Sequence, residues 1–252
     1  MFDVKSITID HFSNVAALID FANQKPITVG QKNWAFRGQP ETYKTLLPSF
    51  QRQFTIKSYG TAEIIEKRLI EDFRNHYLEL KDRSTDMPSP HRISTGYDLR
   101  CLSVMQHYEI PTRLLDWSSH FWTSVYFACA SEPGKNAEMW FYHRSIFDQQ
   151  QASDFQLASL LDINDQPNAE PHLLHNHHSK HFVFELDPRI NPRMKEQQGH
   201  HTVSTDVFAD HAPLLYELIT ELNIKDIYGQ PAFGRFTIEA ACKSKAIQFL
   251  AE

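Results

Sequence analysis

Two short stretches of this chain place charged and amide side chains inside otherwise apolar sequence. Residues 34–39 read Trp-Ala-Phe-Arg-Gly-Gln, and residues 105–118 read Met-Gln-His-Tyr-Glu-Ile-Pro-Thr-Arg-Leu-Leu-Asp-Trp-Ser. A buried charge is unfavourable unless it has a partner, and such groups concentrate where ligands are held. The fold must therefore bring partners to these groups, either as structural ion pairs or as a binding site.

The composition narrows the class of protein. Of the 252 residues, 41% are hydrophobic and 22% are charged, which is ordinary for a soluble globular protein. The net charge of -6 gives no general attraction to nucleic acid, although a local basic patch could still bind it. No apolar run is long enough to cross a membrane, and the first residues lack the layout of a signal peptide. Together with three cysteines outside any motif, these features predict a cytoplasmic protein without a membrane partner.

Apolar periodicity and capping residues predict most of the helices. We expect helices at about residues 13–23, 61–80, 98–108, 121–130, 153–161 and 210–222. The second of these has the clearest apolar stripe, and the fourth is apolar nearly all round, which predicts that it is buried. Asp210 is placed to cap the last helix, and Asn223 suits a left-handed stop at its end.

Short apolar runs predict strands at 34–37, 139–142 and 182–186. Between the last two, about residues 144–180 form a weakly patterned, histidine-rich insertion, which we expect to be irregular. The simplest account is a single α+β domain.

The strand at 34–37 orders its side chains by alternation. Trp34 and Phe36 should share one face, while Ala35 and Arg37 share the other. Gly38 then allows a ligand or another backbone to approach closely. Arg37 therefore suits bidentate contact with a phosphate or carboxylate, or else a structural salt bridge.

The second stretch is predicted to form a turn after Pro111, which ends the preceding helix. Four polar side chains could converge there: Gln106, His107, Arg113 and Asp116. Arg113 could pair with Asp116 or be oriented by it. Trp117 offers a ring for stacking. Ser118 or Ser119 could cap the next helix, and Ser118 lies at its start, where free N–H groups favour anions. The alternative is a satisfied polar turn without a ligand.

A histidine cluster is the other feature that could carry chemistry: His172, His175, His177, His178 and His181, with His200 and His201 further along the chain. It lacks cysteine or carboxylate ligands at metal-site spacing, so we expect a solvated loop and no metal. The chain also lacks a phosphate loop, a dinucleotide-binding glycine motif and a serine-hydrolase elbow.

These stretches resemble the FRG-domain proteins, which are named for the triplet that stands here at 36–38. The resemblance covers blocks at 34–39, 105–128 and 191–199, and it implies a single FRG domain over 1–252. The layout is similar to that of ADP-ribosyltransferases of the Arg-Ser-Glu type, which implies a split β-sheet core and NAD as the substrate. Such domains are often found in bacterial toxin or phage-defence contexts.

The resemblance implies a role for each motif residue. Arg37 and Ser118 are the first two catalytic elements, and Asp116, Glu196 or Gln198 supplies the third. A glutamine there would stabilise a developing cation less well than a carboxylate does. The remaining residues expected to contact NAD are Gly38, Gln39, Gln106, His107, Arg113 and Trp117.

Three functions stay open on these grounds. The first is an NAD-using transferase or NAD glycohydrolase. The second is a non-catalytic sensor that binds a nucleotide or a phage component, which the glutamines of the third block favour. A metal-dependent, nuclease-like activity of the histidine cluster is the third.

Overall fold

The computed structural model describes residues 3, 5–24, 33–56, 58–80, 98–153, 183–186, 199–224, 226–227 and 230–252. Within these ranges the chain forms a seven-stranded sheet with helices on both faces, which confirms the α+β class. The sheet strands are β1 (Thr8–Phe12), β2 (Trp34–Gln39), β3 (Leu114–Ser118), β4 (Ala137–His143), β5 (Val183–Leu186), β6 (Gly199–Ser204) and β9 (Phe233–Ile238). The short strands β7 (Asp226–Ile227) and β8 (Gln230–Pro231) pair separately.

The helices of the described residues connect these strands. They are α1 (Val15–Gln24), α2 (Ser49–Gln53), α3 (Tyr59–Leu80), α4 (Asp98–His107), α5 (Phe121–Cys129), α6 (Ser145–Ser153), α7 (His211–Glu221) and α8 (Ala240–Ala251). The strand order is β1-β9-β4-β2-β3-β6-β5, with antiparallel neighbours except for the parallel pair β1 and β9.

Alternation along the central strands builds a core on each face of the sheet. Trp34 and Phe36 pack with α1, α5 and α8, whereas Ala35 packs on the opposite face with α3, α4 and α7. This confirms the predicted faces of β2. Trp140 and Phe141 of β4 divide between the two cores in the same way.

The sheet parts between its two central strands. β2 pairs with β4 along its whole length, from Trp34 to Gln39, and all five residues of β3 pair with β6. By contrast, β2 and β3 share one pair, Phe36 opposite Ser118. The two strands therefore diverge beyond this pair and leave a cleft at the edge where Arg37 and Asp116 lie.

The structure corrects three local predictions. The segment before Ser118 is the strand β3 and not a turn, because Leu115 and Trp117 are buried while Asp116 between them is exposed. Ser118 ends that strand and is not the cap of α5, whose N-cap position is His120 without a side-chain cap. The start of the insertion is also not irregular, since α6 covers Ser145–Ser153.

Other predictions of the helix ends are confirmed. The Asp210 carboxylate accepts a hydrogen bond from the Ala212 N–H (3.0 Å) and caps α7. Asn223 follows that helix with a φ of 52°, the left-handed conformation expected there. The helix predicted at 153–161 lies outside the described residues, apart from its first residue.

Candidate functional site

A cleft of about 590 Å³ opens where β2 and β3 diverge. Its volume falls in the range of roughly 300–1,000 Å³ that is usual for small-molecule sites. The ends of β2 and β3, the start of β6, the end of α4 and one side of α5 form its walls. Charged and polar groups of both signs line it, so the cleft is suited to a polar ligand.

Arg37 lies on one wall with an incomplete set of partners. Its Nη1 donates to the backbone oxygen of Asp116 (2.7 Å) across the gap between the strands. Its Nε is buried and has no hydrogen-bond partner among the described residues. Burial lowers the pKa of Arg37 to about 10, an effect that Asp116 opposes and Arg52 reinforces. Arg37 therefore remains a cation at neutral pH and is half-buried in the wall of the cleft.

Asp116 is the carboxylate on the floor of the cleft, and 56% of its side chain is exposed. Gln106 Nε2 donates to its Oδ2 (2.9 Å), and His201 Nδ1 lies 3.0 Å from its Oδ1. Desolvation raises the pKa of Asp116, but His201, Arg37 and Gln106 together outweigh this effect and lower the pKa to about 2. Asp116 is consequently an anion at any physiological pH and cannot act as a general acid there.

Gln106 is itself oriented by a neighbour. The Thr112 hydroxyl donates to Gln106 Oε1, which directs the amide nitrogen toward Asp116. The structure thus brings together two of the predicted residues, Gln106 and Asp116, and adds Thr112 as their support.

Behind Asp116 lies a pair that the sequence reading missed. Ser103 Oγ and His201 Nε2 are 3.0 Å apart, and both side chains are buried. Their positions in the sequence, 98 residues apart, gave no signal that could have joined them. Ser103, His201 and Asp116 are the three residue types of a hydrolase triad. Their orientation is the opposite of that in a hydrolase, because here the carboxylate faces the cleft and the serine is buried.

Helix α5 packs closely against β2 at Gly38. A Cβ at this position would lie 1.9 Å from Ser124 O and 2.6 Å from Ala128 N, both of them helix backbone atoms. Of the two approaches predicted at Gly38, by a ligand or by another backbone, the structure shows the second. This contact fixes α5 relative to the neighbouring Arg37.

Comparison with known families gives a match to the part of the chain that contains β2 and β3. Residues 32–137 match the family model of the FRG domain, and the match includes both Arg37 and Asp116. Residues 32–137 are therefore similar to an FRG domain. No curated protein and no solved structure matches the chain. Among the described helices, none combines the length and apolar character needed to span a membrane.

Two polar residues of the segment that matches the FRG domain lie in the protein interior and not in the cleft. Arg113 is fully buried and forms an ion pair with Glu66 through Nε and Nη2, while Nη1 donates to the backbone oxygens of Ser204 and Thr205. Arg113 therefore neither pairs with Asp116 nor lines the cleft. Gln39 is also buried and donates to Thr45 O (3.0 Å) and to a carboxylate oxygen of Glu138 (2.9 Å).

Trp117 cannot stack on a ligand as the sequence suggested. It is 2% exposed, its Nε1 donates to Thr202 Oγ1 (2.9 Å), and its ring packs edge-on against Tyr142. The exposed aromatic side chain among the residues that line the cleft is Phe127, which is 55% exposed. Helix α5 is consequently less buried than its apolar sequence predicted, because Tyr126 is also half exposed.

Further predicted residues line the cleft. His107 at the end of α4 and Ser118 at the end of β3 both face it. Ser118 Oγ accepts from the His120 N–H (3.0 Å), which holds the chain as it turns into α5. Glu109, which the sequence reading did not single out, lines the same cleft in a left-handed conformation (φ 60°).

The third block and the histidine cluster lie almost wholly outside the described residues. Glu196, Gln198 and the histidines at 172–181 are not described. Gly199, the last residue of the block, begins β6 directly opposite Ser118 and lines the cleft. Among the described residues, no cluster of histidine, cysteine and carboxylate side chains could hold a metal.

Proposed function

We propose that the cleft binds NAD and breaks the bond between its nicotinamide and ribose, passing ADP-ribose to water or to another acceptor. The observation that carries this proposal is one cleft holding both a cation with an unused buried donor and a carboxylate that stays ionised. Arg37 is that cation and Asp116 is that carboxylate.

Arg37 is suited to the pyrophosphate of NAD. Its unpartnered Nε leaves a donor unsatisfied, which destabilises the empty site and is relieved when an anionic oxygen accepts from it. The backbone bond to Asp116 O holds the guanidinium in place, so little side-chain freedom remains to be lost on binding.

Asp116 is suited to the charge that develops on the ribose. When the glycosidic bond breaks, its electron pair moves onto the pyridinium ring, nicotinamide leaves as a neutral molecule, and the ribose becomes cationic. No proton has to be donated to the leaving group, which agrees with a carboxylate whose pKa is about 2. An anion fixed beside the cationic carbon stabilises the transition state. Water then adds to that carbon and loses a proton.

The remaining lining residues complete these roles. Ser118 and Ser124 line the cleft with groups suited to hydrogen bonds with a ribose, and Phe127 offers the ring surface that was expected of Trp117. The pairing of Ser118 with Gly199 supports a further contribution from Glu196 or Gln198, which precede that glycine closely in sequence. Consumption of NAD would also suit the toxin or phage-defence role that the family resemblance implies.

The Asp116→Asn variant tests the proposal because it keeps the shape of the side chain and removes its charge. We expect calorimetry to show similar NAD binding by wild type and variant. Nicotinamide release should fall at least about 100-fold, as for the loss of one group that stabilises a transition-state charge. Asp72→Asn on the exposed side of α3 is the matched control and should release nicotinamide like wild type.

The other outcomes are equally informative. Failure of the folded wild-type protein to bind NAD would contradict the proposal. Saturable binding without nicotinamide release would favour the sensor function instead.

A further inference from the structure

Three side chains from different elements form one continuous line that ends in the cleft. Ser103 comes from α4, His201 from β6 and Asp116 from β3, with 3.0 Å at each contact. Exposure rises along the line, from none for Ser103 and 2% for His201 to 56% for Asp116. The carboxylate is therefore the most accessible group of the line to a ligand in the cleft, which His201 also lines.

The tautomer of His201 follows from the groups that its two ring nitrogens face. His201 Nδ1 lies at ion-pair distance (3.0 Å) from the ionised Asp116 carboxylate, although the contact is not aligned as a hydrogen bond. Two acceptors do not approach so closely without a proton between them, so Nδ1 carries the hydrogen. In the neutral imidazole, Nε2 then has a lone pair, which the hydroxyl of Ser103 satisfies by donating to it. The serine thus selects the histidine tautomer that supports Asp116.

We propose that His201 and Ser103 are positioning residues, which hold the Asp116 carboxylate ionised and directed into the cleft. The activity readout of this inference rests on the proposed function, whereas its readout in the ligand-free protein does not. Ser103 is not a nucleophile in this arrangement, because it is buried at the far end of the line from the cleft.

The other titratable and charged groups around Asp116 come from three elements. β2 contributes Arg37, α4 and the residues after it contribute His107 and Glu109, and β6 contributes His200 beside His201. All of them remain when His201 alone is replaced, so a change in the titration of Asp116 reports on His201.

The test compares two substitutions of His201 with a matched control. His201→Leu removes the ring donor, whereas His201→Asn restores an N–H close to the position of Nδ1. His143→Leu is the control, because His143 is also a buried strand histidine that contacts a serine hydroxyl, Ser145 Oγ at 2.7 Å, but does not line the cleft.

The first readout is the carboxyl ¹³C signal of Asp116 in the ligand-free protein, assigned with Asp116→Asn. We expect the carboxylate to stay ionised down to pH 4 in wild type, His201→Asn and His143→Leu. In His201→Leu it should begin to protonate above pH 4, because a contact that lowers the pKa of Asp116 has been removed. Equal signals for wild type and His201→Leu at pH 4 would overturn the inference, whatever the enzyme does.

The second readout is the pH profile of nicotinamide release. The acid limb should move to higher pH in His201→Leu and return toward wild type in His201→Asn, with a fall in kcat larger than any change in KM. A uniform loss at every pH in both variants would show a merely structural role. Release at wild-type level with an unmoved limb would also contradict the inference.

Discussion

Replacement of Gly38 by alanine should unfold the protein more easily than any surface change, because the added Cβ meets the backbone of α5. It would lie 1.9 Å from Ser124 O, whereas such contacts essentially never fall below 3.0 Å, so the helix must retreat by at least about 1.1 Å. That shift separates Phe121 from Phe36, whose rings lie 5.4 Å apart in the core. Overpacking typically costs 1–3 kcal/mol, and a backbone obstacle places this variant at about 3 kcal/mol or more.

Urea denaturation followed by circular dichroism measures this loss. A loss of about 3 kcal/mol lowers the unfolding midpoint by roughly 1 M or more. Gly60→Ala is the matched control, since nothing lies within 4 Å of its added Cβ. Gly60 is in α3, so alanine there should stabilise by about 0.5 kcal/mol. Equal midpoints for Gly38→Ala and wild type would refute the packing argument.

Three further substitutions should behave as follows. Glu109→Gly removes the strain of a left-handed residue (φ 60°), which stabilises the folded state by about 1–2 kcal/mol. Glycine also raises the entropy of the unfolded chain, which destabilises the protein by less, so the thermal midpoint should rise by about 2 °C. Phe127→Ala should weaken calorimetric NAD binding about tenfold, and Tyr126→Ala, an equally exposed neighbour outside the cleft, should not. Glu66→Ala strands the buried Arg113 cation and should destabilise by about 3–5 kcal/mol in urea, whereas methionine at both positions should recover most of that loss.

Local patterns predicted the parts of this fold that depend on local physics. The apolar stripe of α3, the Asp210 cap and the left-handed Asn223 each follow from neighbouring residues. Alternation likewise predicted that Arg37 shares a face with Ala35, opposite the aromatic residues of β2. The sequence therefore predicted the face of β2 on which Arg37 lies.

The features that the sequence did not predict depend on contacts between residues far apart in the chain. The sequence around Arg113 does not show whether its partner is a ligand or another side chain. The partner is Glu66 of α3, which lies 47 residues away in the sequence. The strand β3 was missed because Asp116, its exposed middle residue, resembled part of a polar turn. The buried neighbour of Asp116, His201, comes from a distant part of the sequence and is brought to it by the pairing of β6 with β3. From the sequence alone, the residues that line the cleft could therefore be distinguished only in part from residues with a structural role.

The most direct test of the central claim is nicotinamide release from NAD by purified protein, with Arg37→Ala beside it. Arg68→Ala, an exposed arginine of α3, controls for the loss of a positive charge. We expect release by wild type and Arg68→Ala and none by Arg37→Ala. Release that persists in a folded Arg37→Ala variant would contradict the assignment of this cleft as the NAD site.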